Sequence, residues 1–234
     1  STPFTREGSQ VQSLSHPPAI SLGGPPAEVL GMATADDILR FWFADSLAAD
    51  ADLATHERRW FRAGRNLDLE IASRFGDDID RGGRGEYDDW TRTARGRLGL
   101  IILLDQLPRN AFRGTAKAFA FDARAASLCR EGLAAGADND LALIEQLFFY
   151  LPLLHSENRA DQRQSVDCFA RLLARASPRQ RRHYAVWVGW ARRHRAVIGL
   201  FGRFPHRNAV LGRRSNGAER VFLTVMAMRF AWKL

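Results

Sequence analysis

The chain has 234 residues, 46% of them hydrophobic, which suits one domain with a sizeable core and excludes a disordered chain. Its formal charge is +8, carried almost wholly by arginine, since Lys117 and Lys233 are the only lysines. No stretch is long and apolar enough to span a bilayer and no basic-then-apolar leader opens it, so no membrane partner and a cytoplasmic location are expected.

Residues 1–33 are rich in Ser, Pro and Gly and lack periodicity, so a flexible N-terminal extension is expected there. The part before Met32 reads as an upstream extension, a tag or a mis-set start. A helical domain is expected over 34–234. It opens with "TADDILRFWF", where Thr34 and Asp37 form a capping pair. Apolar periodicity predicts helices at 36–44, 54–63, 67–75, 87–93, 94–107, 115–135, 138–151, 157–176, 179–201 and 218–228. Gly, Pro and Asn punctuate them, and no alternating β-branched run is present. Short links between many helices predict an all-α single domain built as an antiparallel αα-hairpin array. Cys129 and Cys168 lie in apolar-periodic segments with no second ligand at metal spacing. They read as buried thiols in a reducing compartment, and no metal ligands are assigned, since His155, Glu157 and His206 could meet in space but nothing in their spacing requires it.

Three stretches place polar groups where apolar ones are expected. In "LIILLDQLPRN", residues 100–110, the helix is apolar nearly all round, yet Asp105 and Arg109 continue the face of Leu98, Ile101 and Ile102. A carboxylate there needs a partner, and an arginine is the natural one. Pro108 predicts that the helix stops nearby, with Arg109, Asn110 and Arg113 at its mouth. In "LLHSENRADQ", residues 153–162, Ser156 is the expected N-cap and Glu157 lies in the first turn. Gln162 falls on the core side, Asp161 on the solvent side, and His155 precedes the cap. In 179–201, His183, Trp187, Trp190, His194, Val197, Ile198 and Phe201 share a stripe opposite Arg181, Arg192 and Arg195. "GRFPHRNAVLGRR" follows, crowding Arg203, His206, Arg207 and Asn208 around Pro205, a donor-rich turn that suits a carboxylate or phosphate. Phosphate-loop, dinucleotide and H-E-x-x-H motifs are absent.

The segments "ILRFWF", "RRWF", "GRLGLIILLDQLPRNAFRGTAKAFAFDARA", "FFYLPLLHSENRADQ" and "RHRAVIGLFGRFPHRNAVLGR" together resemble the bacterial family called domain of unknown function 924. The likeness runs from about Ile38 to about Leu223. It implies an all-helical, tetratricopeptide-repeat-like fold and no activity. The family's polar motif positions fall on Asp105, Gln106, Arg109, Asn110, Arg113, Asp122, His155, Ser156, Glu157, Asp161, Gln162, His194, Arg203, His206, Arg207 and Asn208. Near the end, "SNGAE" replaces the family's Ser-Thr-Pro-acid cap, and "TVMAMRFAWKL" is more apolar than its pattern.

The clusters predict a polar pocket for a small anionic molecule. Arg109, Arg113, Arg203 and Arg207 would bind the anion, with Asp105, Gln106, Asn110, Gln162 and Asn208 completing the ligand site. His155 and His206 are the acid–base candidates, and Glu157 would orient one of them. Against this stands a purely structural role, in which the same groups knit loops together. A peptide- or protein-binding scaffold is the alternative function, on fold analogy alone. The acid-free, arginine-rich stretch 168–218 raises nucleic acid as a third, disfavoured because its tryptophans face inward. Neither a cofactor nor an oligomeric state is legible.

Overall fold

The computed structural model describes residues 32–47, 52–62 and 64–229. The extension expected over 1–33 therefore lies, up to residue 31, outside the described residues. The described part is all-helical, with no strand. It begins where the capping pair predicts: the Asp37 amide donates to Thr34 Oγ1 at 3.2 Å, and the Thr34 amide donates to Asp37 Oδ2 at 3.0 Å. The helices that follow are α1 (Ala35–Phe43), α2 (Leu53–Arg62), α3 (Arg65–Gly83), α4 (Ala94–Ile101), α5 (Leu107–Ala111), α6 (Asp122–Ala134), α7 (Leu143–His155), α8 (Arg159–Arg175), α9 (Arg181–Phe201) and α10 (Gly217–Arg229).

Two segments, both apolar nearly all round, form the centre. Every residue of α7 from Ile144 to His155 is buried, and so is every residue from Leu98 to Pro108. Most other helices lay one apolar face on this core, whereas Phe222 of the last helix packs with Val197, Ile198, Phe201 and Phe204 in a separate small cluster. Trp42 and Phe43 of α1 and Trp60 of α2 pack edge-on against Phe148 of α7, with ring centroids 4.8–5.6 Å apart. The Trp60 indole N–H donates to the Trp42 carbonyl at 2.9 Å, so the ring buries its polar atom satisfied. Each such side chain contributes roughly 1.5–3 kcal/mol by leaving water. Downstream, α7 packs on α8 and α8 on α9 through links of a few residues.

Several expected boundaries are corrected. Segment 94–107 is not one helix. After α4 the backbone widens into a π turn, Ile102–Gln106, closed by the Leu107 amide on the Ile102 carbonyl. One extra residue per turn shifts everything after it by about 100° around the axis. Pro108 does not end the helix but sits in the first turn of α5, where its missing N–H costs nothing. Pro152 likewise lies inside α7, which runs past the expected end at Leu151 to His155. Segment 87–93 is a 3-10 turn at Asp88–Arg92. Segment 115–135 divides into a 3-10 turn, Ala116–Phe119, and α6, while 138–151 divides into another, Ala137–Asp140, and α7. Helix 67–75 is too short, because α3 runs on to Gly83. Asn158, not Ser156, caps α8, its Oδ1 accepting from the Ala160 amide at 2.7 Å.

Gly96 is fixed by close approach. A Cβ there would stand 2.2 Å from the Trp90 carbonyl oxygen and 2.8 Å from Thr93 Oγ1, the cap of α4. The obstacle is backbone and cannot rotate away. Gly96→Ala should therefore lower unfolding free energy by about 1–3 kcal/mol in urea titrations, with an unchanged midpoint contradicting this packing.

Candidate functional site

The site starts from a carboxylate that has no contact with water. Asp105 sits in the π turn at 0% exposure. The Gln106 amide donates to its Oδ2 at 2.5 Å, and His155 Nδ1 lies 2.9 Å from both of its oxygens. Arg109, one turn on, approaches Oδ1 at 3.4 Å and donates to the Asp105 carbonyl. Burial alone would raise the carboxyl's pKa. The Arg109 guanidinium and the hydrogen bonds from His155 and Gln106 outweigh it and hold the group far below the usual carboxylate range. His155, at the last residue of α7, is pushed down by burial first and by Arg109 second, so it is neutral near pH 7. A carboxylate on Nδ1 fixes the tautomer: Nδ1 carries the proton and Nε2 the lone pair.

From Arg109 the ion pairs continue outward. Its guanidinium meets Asp122, at the start of α6, with both oxygens at 3.0 Å. Asp122 Oδ2 also accepts from Arg207 Nη1 at 2.9 Å. Arg207 belongs to the turn Pro205–Arg207, and its guanidinium carbon lies 4.7 Å from the Phe119 ring and 4.6 Å from that of Phe204. Burial, reinforced by Arg109, lowers its pKa to about 10, so it stays a cation at neutral pH.

A recess of about 30 Å³ opens at this point, lined by Arg109, Arg113, Gly114, Ala118, Phe119, His155, His194 and Arg207. Arg113 and Gly114 are exposed and form its mouth, while His155, His194, Ala118 and Arg207 are buried and form its floor. Gly114 adopts φ +79°, which lets the chain turn sharply after α5. His194 of α9 holds the Trp190 carbonyl with Nδ1 at 2.9 Å, and burial takes its pKa down to about 3.

The sequence-derived candidates divide into two groups. Asp105, Gln106, Arg109, Arg113, His155 and Arg207 come together at or directly behind the recess. The others join helices. Asn110 Nδ2 donates to Asp68 of α3 at 2.9 Å, and Arg113 grips the same carboxylate at 2.7 and 2.9 Å. Gln162 Nε2 reaches the Leu153, Leu154 and Ser156 carbonyls, closing the end of α7. Arg203 clasps Glu219 of α10 at 2.7 and 2.9 Å, and Asn208 donates to Ser215 at 3.0 Å. Both Glu157 oxygens are engaged by Arg213, and Oε1 also by the Phe204 amide at 2.7 Å. Asp105 is thus the carboxylate that orients His155. His206 packs on the Phe204 ring beside the recess. Asp161, expected in solvent, is buried, because Ser156 Oγ and Arg130 of α6 donate to it at 2.6 and 2.9 Å.

Asp122, His194 and Phe119 were not among the candidate site residues. Asp122 and His194 occupy motif positions, which was the one available signal; Phe119 gives none, since an aromatic in an apolar run reads as core. Among the described residues, no group of three His, Cys, Asp or Glu could hold a metal. No helix there is long and apolar enough to cross a membrane.

The buried histidines set a pH dependence. His194 and His206 are both lowered to about 3, chiefly by burial, while in the unfolded chain they protonate near about 6.5. Between those values the unfolded state binds more protons, so stability is full above about pH 6.5 and falls as the pH drops. Between pH 7 and pH 5 each should remove about 1–2 kcal/mol, and urea midpoints should fall accordingly. His194→Asn should flatten the slope; equal wild-type midpoints at both pH values would contradict the burial of these rings.

The family model described as "Bacterial protein of unknown function (DUF924)" matches residues 38–226. A solved protein of unknown function, ATU0120 from Agrobacterium tumefaciens, is 34% identical; the match covers 81% of this chain and 96% of that one, with a TM-score of 0.67. No functionally curated protein matches. The chain belongs to the DUF924 family.

Proposed function

We propose that the chain binds a small anionic molecule in the recess between α5, α7, α9 and the Pro205–Arg207 turn, with His155 placed to exchange a proton with it. One observation carries this reading. Arg109, Arg113, His155 and Arg207, from segments far apart in the chain, line a single recess, while Asp105 and Asp122 do not line it. Three guanidinium groups therefore face the space beside the His155 imidazole and their compensating carboxylates stand behind it, a polarity that favours an incoming anion. His155 supports acid–base work because its neutral form and fixed tautomer present Nε2 as a proton acceptor.

The serial packing of α7, α8 and α9 through short links supports a hairpin array of the tetratricopeptide-repeat kind. Two free, buried cysteines support a reducing, cytoplasmic setting. The scaffold and nucleic-acid readings have less behind them. Large exposed apolar residues among those described are aliphatic, such as Val186, Leu200 and Val221, and offer no ring for a base to stack on.

A thermal-shift screen of small anions tests the proposal. An anion that occupies the recess at about 100 times its dissociation constant adds about 2.7 kcal/mol, which raises Tm by several degrees. Arg207→Gln should abolish that shift. Equal shifts in wild type and variant, or none with any anion, would contradict the site.

A further inference from the structure

Resting on that reading, we propose that the anion is a short hydroxycarboxylate, its carboxylate on the Nε edge of Arg207 and its hydroxyl donating to Nε2 of His155.

Arg207 carries the first half. Its side chain is 7% exposed. Nη1 is committed to Asp122, and the guanidinium stacks on the rings of Phe119 and Phe204, which leaves hydrogen bonding to its in-plane edge. On that edge Nε is buried with no hydrogen-bond partner. A buried donor of this kind is left for a ligand or water, and the flat Nε–Nη2 edge matches the spacing of a carboxylate's two oxygens.

Charge and size narrow the class. Asp105 and Asp122 balance Arg109 and Arg207, and Arg113 is balanced by Asp68. No cationic surplus remains for a phosphate dianion, so a single negative charge fits better. The recess is small, about 30 Å³, and opens at Arg113 and Gly114, so it takes the polar end of a ligand while the remainder lies toward the mouth, which suits a short molecule.

His155 supplies the second half. Nδ1 is committed to Asp105, so Nε2 presents a lone pair from the same lining. A second anionic oxygen would be repelled there, whereas an O–H next to the carboxylate is accepted. Lactate is a small probe carrying both groups, and propionate is the same carbon skeleton without the hydroxyl.

The test compares dissociation constants of lactate, propionate and inorganic phosphate on the full chain. Wild type should bind lactate about tenfold more tightly than propionate, the worth of one good hydrogen bond. Arg207→Gln should weaken both about tenfold or more, and His155→Gln should erase the difference between them. The Arg207 Nε–H nuclear magnetic resonance signal of the wild type should move downfield with lactate, a readout independent of how either variant folds. Equal binding of lactate and propionate by wild type, or an unmoved Nε–H signal, would overturn the inference. Phosphate binding above both carboxylates would overturn it while leaving an anion site standing. No binding by any of the three would overturn both.

Discussion

A negative charge with no access to water is the constraint on which this structure turns. Asp105 is enclosed by two helical segments that are themselves buried throughout. Such a group is tolerated only when its environment replaces the hydration it loses. Gln106, Arg109 and His155 do so, and each brings a further requirement. Arg109 needs Asp122 as well, Asp122 also takes Arg207, and the aromatic rings of Phe119 and Phe204 close around Arg207. One buried carboxylate thereby ties together the π turn, the start of α6, the end of α7 and the Pro205–Arg207 turn.

The order of charges along this chain gives the recess its character. Carboxylates lie inside and guanidinium groups outside, with imidazoles kept neutral by burial between them. Arg207, one of the lining residues, keeps a buried Nε without a hydrogen-bond partner. The other polar clusters turn mainly on one another, although Arg213 Nε and Gln162 Oε1 are also buried without a partner. Glu157 with Arg213, Arg203 with Glu219, and Gln162 with the end of α7 use their groups on one another and hold α8, α10 and the connecting loops in place. The knitting network weighed from sequence is thus present in these clusters, and the ligand reading proposed above rests on the residues that line the recess.

Much of the fold is legible in the sequence because burial follows local periodicity. The capping pair of α1, the buried stripe through Trp187, His194 and Ile198, and the polar ends of two buried helices all follow from spacing. Three things do not. The π turn inserts a residue that no fixed angular step anticipates, and it stops Pro108 from ending the helix. Asp161 looks solvated on its own helix because the arginine that buries it lies 31 positions earlier, on α6. The roles of Glu157, Arg203 and Asn208 depend on Arg213, Ser215 and Glu219, partners whose side chains give no sign of pairing in sequence. Periodicity reports which residues are buried, and only the tertiary structure reports which of them meet.

Asp105→Asn is the most direct test of the account, because it keeps the shape of the side chain and removes only its charge. Equilibrium unfolding in urea at pH 7 should show a loss of about 3–5 kcal/mol, since Arg109 would remain buried with half of its compensation gone. A variant within about 0.5 kcal/mol of wild type would show that the carboxylate does not organise the surrounding segments.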